Sequence, residues 1–260
     1  MNKLVIETFE QAYQSIFSTI RGRRNKYPLK HYLETIFYVL KTGIAWRDIK
    51  ANLHWSTYYK KFKIWANNGL FKLMHISILE LAKQTKKLTN HHIEQLFIDS
   101  TMVKNVKGVD LLGKNHYDRN RLGNKVTLII SNNCMPLSIA LCPSNQHDLT
   151  QVLPAIDNMT LKIGKTSVVG DAGYVSKNLK ETLKSRGIKL IYPYKKNQSA
   201  TNTKFEIDLI KKRYLIENVF SWIQNYRRCR LRLRYEKNWE SYLQFYYFGI
   251  TMLISKKLMK

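Results

Sequence analysis

The chain has 260 residues, of which 44% are hydrophobic and 12% aromatic, enough for the core of one large domain or two modest ones; this composition excludes a disordered protein. Its 44 Lys and Arg residues against 18 Asp and Glu residues give a formal net charge of +26. Such a charge favours a polyanionic partner, as in ribosomal, membrane-surface and DNA-handling proteins, because it is otherwise costly in self-repulsion.

The cysteines and the apolar runs restrict where the protein works. Cys134, Cys142 and Cys229 form no C-x-x-C pair, so we expect a reduced compartment with neither a disulfide framework nor a zinc site. Glu7 interrupts the start of the chain before any long apolar stretch, which argues against a signal peptide. The apolar run at 245–254 is far shorter than the ~20 residues of a spanning helix. The sequence therefore predicts a cytoplasmic protein that does not enter a membrane.

Helical periodicity dominates residues 1–90. Apolar residues recur at helical spacing from Leu33 to Leu40, and Thr42-Gly43 is a typical end for that helix. After a short segment at 45–49, a second helix is predicted from Ser56, a good N-cap. Its predicted apolar face consists of Tyr58, Phe62 and Trp65. Three lysines lie away from that face: Lys60, Lys61 and Lys63.

The order of these helices leaves two interpretations open. A helix, a short connection and a basic helix are compatible with a helix-turn-helix DNA reader. They are also compatible with a helical bundle that carries solvated lysines. Polar, Lys-rich residues at 80–92 then predict a boundary. We therefore divide the chain into an all-α, helix-turn-helix-like DNA-binding region at 1–90 and a second domain at 91–260.

Strand patterns replace helical ones in the second domain. Five strands are predicted, at 97–98, 125–130, 137–141, 167–169 and 189–193, with helices at 147–159 and 176–185 and from Lys211 onward. This order predicts an α/β domain with a mixed five-stranded sheet and helices on both faces. The aperiodic stretches at 108–123 and 195–205 are interpreted as mobile basic loops.

Three carboxylates stand at informative positions. Asp99 and Asp171 each follow an apolar strand, and Glu217 lies on the helix from Lys211, one turn after Arg213. Hard cations need several carboxylate oxygens from different elements, so these residues predict a two-metal site for phosphoryl transfer. Taken alone, Glu217 is also compatible with a solvated residue paired with Arg213. Turn chemistry could likewise explain the glycines on both sides of Asp171.

Two further motifs also have two interpretations. His147-Asp148 could cap the next helix, which we favour, or could orient the site. In the basic run at 227–235, arginines alternate with apolar residues from Arg228 to Arg234, which would place them on one face of an extended chain. That face could bind DNA phosphates or could simply be solvated. The apolar helix at 239–258 is predicted to be core or a dimer surface.

Several motifs together resemble the DDE transposases of bacterial insertion sequences, in particular the insertion-sequence-five group of the insertion-sequence-four/five superfamily. Two are the strand-end runs Phe97-Ile98-Asp99-Ser100-Thr101 and Gly170-Asp171-Ala172-Gly173-Tyr174. The third is Arg213-x-x-x-Glu217, followed by Trp222 and Arg227-Arg228. The segments at 42–48 and 145–148 are also similar to that group. The resemblance covers nearly the whole chain, and the order and spacing of its motifs make it specific.

The resemblance implies an RNase H-like catalytic fold. Asp99, Asp171 and Glu217 would be the catalytic residues and would hold two Mg²⁺ ions, with Mn²⁺ as a substitute. The implied reactions are 3′-end cleavage at the terminal inverted repeats of the element and strand transfer into target DNA. The implied partners are double-stranded DNA and further copies of the chain, in a homodimer or higher oligomer at the bacterial nucleoid. The residues expected to contact DNA are Arg213, Gln224, Arg227, Arg228, Arg230, Arg232, Lys60, Lys61 and Lys63.

Two positions depart from the signature of that group. Ile210 stands where the signature has a tyrosine three residues before the arginine, and Gln224 stands where it has a lysine seven residues after the glutamate. A glutamine can still hydrogen-bond DNA, but it carries no charge. Two alternatives therefore stay open: a decayed copy that only binds DNA, and another RNase H-like nuclease.

Overall fold

A computed structural model describes residues 1–18, 25–161, 163–194, 201–224 and 229–259. The chain divides into two compact units. The first, here the helical unit, comprises Met1–Ala82, Val103–Leu112 and Ile223–Lys260. The second, here the sheet unit, comprises Lys83–Met102 and Gly113–Trp222. The functional division at residue 90 stays a prediction.

Helices make up most of the helical unit and flank the sheet in the other. The described residues form ten α-helices: α1 (Lys3–Phe17), α2 (Leu29–Thr42), α3 (Trp55–Asn67), α4 (Leu70–Gln84), α5 (Asn90–Ile93), α6 (Leu149–Asp157), α7 (Lys177–Ser185), α8 (Lys204–Lys211), α9 (Tyr214–Ile223) and α10 (Trp239–Leu258). Short 3-10 turns lie at Trp46–Asp48, His116–Asp118 and Ala172–Tyr174. None of the helices in the described ranges has both the length and the apolar character needed to cross a membrane.

The core of the helical unit is aromatic. The predicted face of α3 is confirmed, since Tyr58, Phe62 and Trp65 are buried. Phe245 of α10 stacks on Phe62 with ring centroids 4.2 Å apart, so the apolar C-terminal helix is core, as predicted. The predicted cap was wrong, because α3 begins at Trp55 and the Ser56 hydroxyl instead bonds the ring of His54 at 2.8 Å.

Seven strands form the sheet of the described residues: β1 (Gln95–Asn105), β2 (Gly113–Asn115), β3 (Arg121–Ser131), β4 (Pro136–Pro143), β5 (Thr166–Val169), β6 (Ile188–Ile191) and β7 (Leu233–Arg234). The order along the main path is β2-β3-β1-β5-β6, with β4 on β3 and β7 on the end of β1. The pairs β1·β5 and β5·β6 are parallel and β3·β4 is antiparallel, so the predicted mixed sheet is confirmed. Two short strands, β2 and β7, were not predicted.

Arg234 is fully buried within the helical unit, where its hydrogen bonds connect two segments of the chain. Its guanidinium donates to the backbone carbonyls of Asp110 at 2.8 Å, Glu236 at 3.1 Å and Lys237 at 2.7 Å, and it also binds the Asp110 carboxylate. These bonds tie the segment after β1 to the segment after β7. Gly108 gives the guanidinium room, because a Cβ there would lie 2.5 Å from Arg234 Nε.

We expect Gly108→Ala to destabilise the protein by about 2 kcal/mol, because the added methyl group overpacks a rigid, hydrogen-bonded guanidinium. Urea unfolding followed by circular dichroism measures the change. Gly164→Ala is the matched control, since no atom lies within 4 Å of a Cβ built there. Equal unfolding midpoints for the two variants would show that Arg234 is not held tightly.

Candidate active site

The parallel pairing of β1 and β5 brings two of the predicted carboxylates together. Phe97 on β1 is in register with Val169 on β5. Asp99 and Asp171 each lie two residues further along, so they leave the same edge of the sheet on the same face. The two aspartates therefore lie at one edge of the sheet, and their role in holding metal ions stays a prediction.

Asp99 carries an unusual charge environment. Its carboxylate is mostly buried, accepts a hydrogen bond from the Ser100 backbone N–H at 2.8 Å and lies 3.6 Å from the Arg213 guanidinium. Burial raises the pKa of Asp99 to about 6; the Ser100 N–H and Arg213 oppose this rise, and the charges of Asp171 and Asp148 add to it. A mostly buried carboxylate with the charges of two further acidic side chains acting on it is an arrangement that a divalent cation would stabilise.

Asp171 is held by its own turn. It is the N-cap of the 3-10 turn Ala172–Tyr174, and its Oδ1 accepts a hydrogen bond from the Gly173 N–H at 2.7 Å. One carboxylate oxygen thus fixes the turn while the side chain stays partly exposed at the sheet edge. The glycine at 173 is in close contact with this carboxylate, because a Cβ there would lie 2.9 Å from Asp171 Oδ1.

Glu217 is on a helix, unlike the two aspartates, which follow strands. It is exposed in the first turn of α9, four residues after Arg213. The predicted single helix from Lys211 was wrong: α8 ends at Lys211 and α9 begins at Tyr214. Arg213 stands at this break and forms its ion pair with Asp99, so the alternative in which it pairs with Glu217 is not the arrangement found.

Buried Lys125 and half-buried Asp148 form an ion pair that the sequence reasoning missed. Lys125 Nζ donates to the Gln146 carbonyl at 2.7 Å and lies 3.0 Å from Asp148 Oδ1, an ionic contact outside hydrogen-bond geometry. Asp148 is the N-cap residue of α6, as predicted, but its side chain makes no capping hydrogen bond; the Leu149 N–H donates instead to His147 Nδ1 at 3.3 Å. A single lysine opening the apolar strand at 125–130 was the signal in the sequence.

The donor set of this site fits a hard divalent ion, although the ligands are not fully gathered. Among the described residues, no group of three His, Cys, Asp or Glu side chains is arranged to hold a metal ion. Asp99 and Asp171 nevertheless lie at one edge of the sheet, and the raised pKa of Asp99 reflects chiefly its burial, with a smaller contribution from the charge of Asp171. The predicted third ligand, Glu217, is not gathered with them.

The three predicted DNA-contact lysines of α3 differ in exposure. Lys60 is exposed. Lys61 lies 5.7 Å from the centre of the Tyr32 ring, and burial lowers its pKa. Lys63 donates to the Ser241 hydroxyl at 2.8 Å. Of the three, Lys60 therefore offers its charge most freely to a partner.

The residues around the basic run also divide into different environments. Arg230 is buried, with its guanidinium bonded to Glu236 at 3.1 Å and to the Ile44 carbonyl at 2.7 Å, whereas Arg232 is exposed. Gln224 is half-buried and donates to the Tyr246 hydroxyl at 3.4 Å. The remaining two predicted contacts, Arg227 and Arg228, lie outside the described residues, as does most of the predicted loop at 195–205.

Comparisons with known proteins match both parts of the chain. A family model described as "Transposase DDE domain" matches residues 90–250, and one described as "Putative transposase of IS4/5 family" matches residues 7–75. A protein of Burkholderia cepacia named "Putative transposase for insertion sequence element IS402" is 28% identical over 149 residues, which cover 54% of this chain and 67% of that protein.

Two solved transposase structures align with this chain at low identity. The piggyBac transposase synaptic complex with hairpin DNA aligns with a TM-score of 0.50 at 8% identity, over 99% of this chain and 72% of that one. The catalytic domain of Mos1 mariner transposase aligns with a TM-score of 0.25 at 8% identity, over 70% of this chain and 91% of that one. At this identity the first likeness shows a shared fold.

Proposed function

The chain belongs to the IS4/5-type family of bacterial DDE transposases, metal-dependent enzymes with an RNase H-like catalytic domain, and we propose that it cleaves and joins the DNA ends of its own insertion sequence. The proposed substrates are the terminal inverted repeats of that element, cut at their 3′ ends, and a target DNA that receives them. The observation that carries this proposal is the pair of strand-end aspartates, Asp99 and Asp171, beside Arg213.

Asp99, Asp171 and Glu217 would hold the divalent ions, which we propose to be two Mg²⁺ with Mn²⁺ as a substitute. When bound, such ions lower the pKa of an attacking water or hydroxyl and stabilise the leaving oxygen. Arg213 lies 3.6 Å from Asp99 and offsets part of its charge, and its guanidinium can pass to a DNA phosphate once the carboxylates face a cation instead. Closure of α9 over the sheet edge would bring in Glu217.

The presence of two ends in the proposed substrate also bears on the oligomeric state of the protein. Two inverted repeats must be held together before joining, so we propose a homodimer or higher oligomer on DNA. The formal charge of +26 supports extensive phosphate contact. Within that contact we place Arg213, Gln224, Arg232 and Lys60 first. Arg230 is less suited to this role, because its guanidinium already bonds Glu236 and Ile44.

An assay of cleavage and joining tests the proposed function. Its substrate is a plasmid that carries the DNA flanking the gene, incubated with the full chain and Mg²⁺ or Mn²⁺. Ion-dependent cuts at the element ends and joined products are the expected result. Cutting without joining would indicate a nuclease of the same fold.

A second candidate is a decayed copy that binds its ends without cutting them. Gln224 favours this alternative, because it lacks the charge of the signature lysine and its amide bonds Tyr246. Specific end binding with no ion-dependent cleavage would support it. Gln224→Lys and Ile210→Tyr would then be the first changes to restore cleavage.

Salt dependence tests the basic surface. We expect the affinity for the element ends to fall steeply as salt rises, and Lys60→Ala to reduce the slope of log K against log salt by about one unit, because one phosphate contact is lost. Fluorescence anisotropy at several salt concentrations measures the slope. Lys3→Ala is the control, since Lys3 is an exposed lysine that pairs with Glu7 on α1. If the slope for Lys60→Ala equals that of the parent protein, Lys60 does not contact a DNA phosphate.

A further inference from the structure

A hydrogen-bonded chain of hydroxyl groups connects the segments that carry the two aspartates. Ser100, the residue after Asp99, has its Oγ 2.8 Å from Thr127 Oγ1 on β3 and 3.3 Å from the hydroxyl of Tyr174. Tyr174 ends the 3-10 turn that Asp171 begins. The chain therefore runs from β3 through β1 to the turn after β5, three neighbouring elements of the sheet.

Tyr174 is fixed in this position by packing. Its side chain is buried, and its ring lies against Gly170, where a Cβ would be 2.6 Å from ring atom Cδ2. Burial raises the pKa of Tyr174, so its hydroxyl stays protonated and can donate. The ring is thus held at one end by a glycine beside Asp171 and at the other by a serine beside Asp99.

Adjacent residues of a strand point to opposite faces, so the side chains of Ser100 and Asp99 leave β1 in opposite directions. The bond between Ser100 and Tyr174 therefore acts on the Asp99 carboxylate through the backbone of β1. The charges of Asp148, Asp99 and Asp171 also act on the Tyr174 hydroxyl, which thus lies within electrostatic reach of the carboxylates.

We propose that Tyr174 is a positioning residue that fixes, through Ser100, the separation of the Asp99 and Asp171 carboxylates and hence the affinity of the site for divalent cations. The inference rests on the proposed metal-holding role of these two aspartates. Without the hydroxyl bond, the turn at 172–174 keeps its internal hydrogen bonds to Asp171 but loses its bond from Tyr174 to Ser100 of β1. Each ion would then have to order the second aspartate on binding, which weakens its affinity.

Mn²⁺ binding to the full chain without DNA tests this inference, with free Mn²⁺ measured by electron paramagnetic resonance. Tyr174→Phe keeps the ring and removes the hydroxyl, and we expect it to weaken Mn²⁺ binding about five-fold, the effect of one lost hydrogen bond. Ser100→Ala breaks the same bond from the other side and is expected to weaken binding by a similar factor. The double variant should be little weaker than either single one, because both remove one interaction.

The control is Tyr194→Phe, which removes a tyrosine hydroxyl bonded to Lys180 at 2.8 Å in the same unit. A loss of folded protein would lower the number of Mn²⁺ ions bound per chain, whereas the proposed role raises the dissociation constant. Parent-like dissociation constants in both Tyr174→Phe and Ser100→Ala would overturn the inference. If Asp171→Ala instead binds Mn²⁺ as tightly as the parent protein does, the metal-holding role of the aspartates itself is overturned.

Discussion

Asp99→Asn, Asp171→Asn and Glu217→Gln are each expected to abolish ion-dependent cleavage while leaving the affinity for the element ends nearly unchanged. Each replacement keeps the shape of the side chain and removes the charge that a divalent cation requires. The loss of one electrostatic contact to a reacting group costs on the order of 10²–10³ in rate, and loss of an ion costs more. Single-turnover cleavage of labelled end fragments measures the effect, and anisotropy in EDTA measures binding.

Asp157→Asn is the matched control, because Asp157 is an exposed carboxylate of the sheet unit that pairs with Arg186. Near-normal cleavage by either aspartate variant would contradict the proposed site. Glu217 is the sharpest case, because it is exposed on α9 and must approach the aspartates. Near-normal cleavage by Glu217→Gln would contradict the proposed role of Glu217 as the third metal ligand, but not the roles of the two aspartates.

The pairing of Asp99 and Asp171 could be predicted from sequence because it follows from local rules. Each residue ends an apolar run, and neighbouring parallel strands bring equivalent ends to one edge. The same reasoning found all five longer strands, although β1 extends to Asn105, well beyond the predicted Ile98. The second half of β1 is richer in polar residues, so a prediction based on apolar runs ends the strand too early. The three-residue strand β2 is equally polar and was hidden in a predicted loop.

The arginine run shows what local pattern cannot predict. Alternation from Arg228 to Arg234 suggested one basic face, yet Arg230 and Arg234 are buried, and within the described part of the run, 229–234, only Leu233–Arg234 forms a strand. Their partners include Ile44 and Asp110, more than 120 residues away in the chain. An arginine turns inward only when such distant acceptors surround it, and no spacing rule reports them.

The break between α8 and α9 has a similar origin. A wide apolar stripe from Leu215 to Ile223 predicted the helix correctly but not its start. Thr203 and Glu206 form a capping box that begins α8 inside a stretch predicted as loop. Arg213 then stands outside regular helix and reaches Asp99. That ion pair is a tertiary contact, which helical periodicity cannot predict. The predicted helix therefore ran through residues 212 and 213, where the structure has a break.

The proposed site should reduce the stability of the fold that holds it. At pH 8 we expect Asp99→Asn to raise the free energy of unfolding by up to about 3 kcal/mol. Burial raises the pKa of Asp99 from its ordinary value of 3.8 to about 6, so the folded chain holds this proton more tightly than the unfolded chain does. The contribution of Asp99 to stability is therefore full below pH 4 and is lost as the pH rises through about 6. Urea unfolding at pH 4 and pH 8 measures the difference.

Glu206→Gln supplies a control of opposite sign. Burial raises the pKa of Glu206, but the Thr203 N–H and Lys189 outweigh burial, and the net pKa is lowered. Glu206 therefore stabilises the fold above the pKa it has when unfolded, and Glu206→Gln should lower stability at pH 8. Asp99→Asn should gain stability at the pH where it loses cleavage, because the buried negative charge that destabilises the fold is the same charge that would attract a cation. An Asp99→Asn variant no more stable than the parent at pH 8 would show that Arg213 already compensates the buried charge, and the electrostatic case for a cation at this edge of the sheet would fail.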